Sequence, residues 1–98
     1  MENFHVTFLE TRGGRAAANQ RILHTPGAMY LQSYNTIVAR YSDGKMVFSS
    51  RWDYSATTRR YVYQFCGLCG LDIWGIDDAR EAIKSGKIEE VTAHSLTM

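Results

Sequence analysis

The chain has two cysteines, in Cys66-Gly67-Leu68-Cys69. This C-x-x-C spacing lets two thiolates converge on one tetrahedral metal ion. A structural zinc takes four ligands, and the other soft or borderline donors are three histidines, His5, His24 and His94. The expected set is Cys66, Cys69, His5 and His94, with His24 as an alternate. Such a site would tie the first strand and the tail to the end of a helix, and its binding free energy would add to folding free energy. Two other readings stay open. One is a redox dithiol, which a predicted helix end disfavours because the dipole there opposes thiolate. The other is a pair of packed thiols. Each histidine also has an ordinary reading: His5 as a half-buried strand residue, His24 as a solvated loop residue and His94 likewise.

Other reaction chemistry has little to stand on. The sequence has no G-x-S-x-G elbow, and no carboxylate pair sits in a recognisable acid-base context. Gly13-Gly14-Arg15 lacks the Lys and Ser or Thr of a phosphate loop and reads as a turn. Binding is better served. Arg51-Trp52-Asp53-Tyr54 and Arg59-Arg60-Tyr61 set arginines beside aromatics, the residue types enriched at interface hot spots. Arg12 and Arg15, with Arg21, can form a basic patch for an acidic surface. The expected contact residues are therefore Arg12, Arg15, Arg51, Trp52, Arg59 and Arg60.

The elements that must carry these groups follow from periodicity and turn chemistry. Phe4, Val6 and Phe8 alternate along a first strand that Gly13-Gly14 ends. Residues 11–28 form the longest irregular stretch; within it Ala16 to Leu23 can supply two helical turns, and Thr25-Pro26-Gly27 is a turn. From Met29 to Trp52 the pattern is hairpin-like, with Asp43-Gly44 as a tight-turn pair. Ser55 can cap a helix from about Ala56 to Cys66. A second helix spans Ile76 to Ser85, with Asp77 as the expected cap, Lys84 near its end and Gly86 just past it. Lys87 to Ala93 adds a last edge strand. The predicted fold is a single α+β domain over residues 1–98, a small antiparallel sheet with two helices packed on one face.

Composition bounds the rest. The chain has 98 residues, 45% hydrophobic and 21% charged, and a formal net charge of +1. That charge is too small for a strongly basic nucleic-acid coat or an acidic DNA mimic. It is unevenly spread: residues 1–60 carry eight basic and four acidic groups, whereas residues 61–98 carry three and six. No apolar run reaches the roughly 20 residues needed to cross a bilayer, and residues 1–10 do not form a signal peptide, so a cytoplasmic location is expected.

The segments Ser33-Tyr34-Asn35-Thr36-Ile37-Val38-Ala39 and Tyr54-Ser55-Ala56-Thr57-Thr58-Arg59-Arg60-Tyr61-Val62-Tyr63-Gln64-Phe65 resemble a pattern in small proteins of phages and mobile elements. In that pattern a His often stands where this chain has Tyr61, so no role of that His transfers here. With its size, near-neutral charge and C-x-x-C, the chain is similar to phage-encoded inhibitors of bacterial defence, the type II anti-CRISPR proteins. The resemblance implies a stoichiometric, non-catalytic binder of Cas9 or of a Cas9–guide RNA complex, acting in the cytoplasm of a bacterial host and braced by a structural zinc. The alternative is a small nucleic-acid-binding regulatory phage protein that uses Arg for phosphates and Tyr for stacking.

Overall fold

The computed structural model describes residues 5–96. Five strands follow one another as an antiparallel meander: β1 (His5–Glu10), β2 (Ala16–Thr25), β3 (Ala28–Ser33), β4 (Thr36–Ser42) and β5 (Lys45–Ser49). Two helices come next, α1 (Ala56–Leu68) and α2 (Ile76–Ser85), and then β6 (Ile88–Val91) and a 3-10 turn over Ala93–Ser95. The strand order is β1-β2-β3-β4-β5-β6.

The α+β class matches the sequence expectation, but the sheet is larger than expected and not wholly antiparallel, because β6 joins β5 in parallel. The chain between β5 and β6 contains both helices, and a crossover of that length is what a parallel neighbour requires. The edge strand expected over Lys87 to Ala93 is therefore present, shortened to β6. Phe4, expected to begin the first strand, lies outside the described residues.

The main departure from the sequence reading is β2. Ala16 to Leu23 is a strand, neither an irregular stretch nor a pair of helical turns. Alanine favours helix in isolation, but here Ile22 and Leu23 stand between two partners, Ile22 opposite Thr7 and Leu31, Leu23 opposite Val6 and Tyr30. Tertiary pairing on both edges overrides a local propensity worth only tenths of a kcal/mol per residue.

The core lies between one sheet face and the helices. Ile22, Leu31, Ala39 and Phe48 align across β2 to β5 and are buried against Val62, Phe65 and Cys66 of α1 and Ala79 and Ala82 of α2. Each large side chain in this layer contributes about 1.5–3 kcal/mol by leaving water. In β4, Val38 and Ala39 are both buried where the β3–β4 register slips, the signature of a bulge.

Helix ends follow the expected chemistry with one correction. Thr58 N–H donates to Ser55 Oγ at 3.1 Å, so Ser55 caps α1. The cap of α2 is Gly75 and not Asp77; Asp78, three residues into the helix, accepts from Trp74 N–H at 3.0 Å. Gly86 ends α2 with φ 85.

Candidate functional site

Two depressions meet at the start of α1. The larger, a groove of about 670 Å³, is lined by Ser33, Tyr34, Asn35 and Thr36 of the β3–β4 turn, by Arg51 and Tyr54, and by Ser55, Thr57 and Thr58 at the helix start. The smaller, about 360 Å³, is lined by Arg12, Ala56, Thr57, Arg59, Arg60 and Tyr63. Thr57 borders both. The two sequence segments that carry the resemblance, separated in the chain by residues 40–53, thus wall a single groove.

Local structure explains how each side chain arrives there. Residues 34 and 35 form a two-residue loop between β3 and β4, and Tyr34 N–H donates to Asn19 O at 2.7 Å. Tyr34 has φ 57, which turns it outward, and it is 51% exposed. Behind it runs a hydroxyl chain: Ser55 Oγ donates to Thr58 Oγ1 at 3.2 Å, and Thr58 Oγ1 and Ser33 Oγ lie 3.4 Å apart in the buried wall. On the opposite rim Tyr54 is 72% exposed, with the Arg51 guanidinium 5.9 Å from its ring centre.

The electrostatics of the two depressions are one-sided. Their linings contain Arg12, Arg51, Arg59 and Arg60 and no carboxylate. Arg60 is held by Tyr61, donating to its Oη at 3.0 Å with the guanidinium 4.9 Å from the ring centre. The Tyr63 hydroxyl is buried beside the Arg59 guanidinium. Its pKa is raised by burial, with the Arg59 guanidinium pulling the other way.

Four of the six expected contact residues, Arg12, Arg51, Arg59 and Arg60, therefore converge. Arg15 is exposed beside the β1–β2 turn and lines neither depression. Trp52 is a correction: it is 2% exposed, packs in the core and donates from Nε1 to Glu90 Oε2 at 2.8 Å, so it offers no contact surface. Sequence reasoning missed Tyr34, Asn35 and Thr57 as rim residues. Their turn and cap chemistry was legible, but the meeting of turn and helix start is tertiary.

The expected zinc ligands are not gathered. Cys66 is fully buried in the core, and Cys69 ends α1 with its N–H on Phe65 O and Cys66 O. Burial, with Cys69 adding to it, pushes the Cys66 thiol up to about 12, and burial pushes Cys69 to about 11. His5 faces His24 across β1 and β2, rings stacked at 4.2 Å, and His94 lies after β6 at the far end of the strand order. Among the described residues no three His, Cys, Asp or Glu side chains group to hold a metal. In this arrangement the residues do not fit a four-ligand zinc.

A family model matches residues 7–81; its description is a family of unknown function, DUF8033. The chain belongs to this family. The DUF8033 match takes in β1 from Thr7 onward, β2 to β5, all of α1 and the first part of α2, and so includes both depressions except for Ala93. No curated protein and no solved structure matches the chain. No helix among the described residues is long and apolar enough to cross a membrane.

Proposed function

We propose that this chain is a non-catalytic binding protein whose contact surface is centred on the start of α1, and that it acts as an anti-CRISPR inhibitor of Cas9. The observation that carries the choice of surface is the convergence of Arg12, Arg51, Arg59 and Arg60 with exposed Tyr34 and Tyr54 around two depressions that hold no carboxylate. Arg and Tyr are favoured anchors, and a cationic face steers toward an acidic or phosphate-bearing partner. The identity of the partner, Cas9 or its guide RNA complex, comes from the sequence resemblance of residues 33–39 and 54–65.

The test is a DNA-cleavage assay with guide-loaded Cas9 titrated with the chain. The expected result is inhibition that saturates at a fixed molar ratio. Arg59→Glu with Arg60→Glu should weaken it about tenfold or more while leaving the melting temperature within a few degrees, since Arg60 is exposed, Arg59 is half-buried at the rim of the smaller depression, and neither belongs to the apolar core. Full cleavage at large excess of the chain rejects Cas9 as the partner; undiminished inhibition by the double variant moves the contact surface elsewhere.

A further inference from the structure

We infer that the face at the start of α1 binds single-stranded nucleic acid directly, with phosphates on Arg12, Arg51, Arg59 and Arg60 and bases against Tyr34 and Tyr54. This rests on the choice of face made above and is independent of Cas9 being the partner.

The chemistry of the face selects this occupant. Single strands are held by a cationic groove tracking the backbone together with exposed aromatic rings on which bases stack, a combination that needs no sequence readout. Both parts are present in adjoining depressions: the two tyrosines rim the groove, and three of the arginines surround the neighbouring hollow. None of these four arginines forms a salt bridge with a carboxylate among the described residues; the ion pair found there is Arg80 with Asp53, at 3.9 Å. Arg51 and Arg60 lie over Tyr54 and Tyr61 instead, which limits their freedom without neutralising them. The groove walls add neutral groups suited to sugar and phosphate oxygens: the Asn35 amide and the Thr36 and Thr57 hydroxyls. A duplex has its bases already stacked and cannot use the tyrosines, so single strands are the better match.

The experiment is fluorescence anisotropy of the full chain with labelled single-stranded DNA, single-stranded RNA and duplex DNA, each about 20 nucleotides long, over a range of salt. Neutralising about four phosphates gives log affinity against log salt a slope near −3, or a loss of roughly 50-fold between 50 and 200 mM. Tyr54→Ala and Tyr34→Asn should each weaken binding about tenfold. Asn is chosen because it tolerates positive φ. Arg59→Ala should reduce the slope by about 0.7. Circular dichroism confirms that each variant is folded.

No binding to either single strand at 50 mM salt overturns the inference, as does equal affinity for duplex, or affinity that the tyrosine and arginine variants leave intact. Preference between DNA and RNA distinguishes the natural strand within the same chemistry. Inhibition of Cas9 without oligonucleotide binding overturns this inference and leaves the proposed function standing. Oligonucleotide binding without inhibition does the reverse.

Discussion

Trp52 sets its ring 5.4 Å from Phe48 and ties its Nε1 to Glu90, whereas Tyr54, two residues on, stands in solvent under the Arg51 guanidinium. Their substitution should separate the two roles. Trp52→Ala removes a fully packed ring and should cost about 3–5 kcal/mol in urea denaturation. Tyr54→Ala should change stability by no more than about 0.5 kcal/mol. A second residue-scale effect concerns pH. Partial burial, and then the neighbouring His5, hold His24 below its ordinary value of 6.5. The folded chain therefore takes up this proton later than the unfolded chain as pH falls, so the unfolded state binds more protons below that value and stability drops. The melting temperature should fall from pH 7 to pH 5, and His24→Gln should remove part of that fall. An unchanged pH profile in the variant would assign the fall to other groups.

At the scale of elements, what the sequence revealed depended on whether the signal was local. Asp43-Gly44, both at positive φ, makes the β4–β5 turn, and Ser55 caps α1, because each is decided by a few adjacent residues. The three alanines of β2 misled for the same reason in reverse: their preference is local and weak, while the pairing of the strand they begin, with β1 and β3 on either side of Arg21 to His24, is not. The binding face was legible as a set of arginine and aromatic types, but not as a place. Separating buried Trp52 from exposed Tyr54 needs the packed sheet. For zinc, C-x-x-C fixes only two ligands, and where histidines tens of residues away stand follows from strand order, which the sequence does not spell out. Gly86 offers a direct test of a local device. Its φ of 85 favours glycine and a Cβ there would meet open space, so Gly86→Ala should cost about 1 kcal/mol through the backbone alone. A neutral result in thermal denaturation would show that the end of α2 relaxes.

For the molecule as a whole, the meander is made of neighbours in sequence, while the β5–β6 pair closes only after the chain has passed through both helices. Central strands should therefore be the most protected. Amide hydrogen exchange should be slowest in β3 and β4 and fastest in β1 and β6, which each lack a neighbour on one side. Uniform protection across all six strands would mean that the sheet opens only by global unfolding. Tyr34 carries a different kind of consequence. A bulky residue with φ 57 is held in a conformation that costs about 1–2 kcal/mol, and the first position of a two-residue hairpin is one that glycine fills more easily. Laboratory evolution for heat resistance alone would discard this tyrosine, while evolution for ligand capture would keep it. Those two selections would pull the same codon in opposite directions.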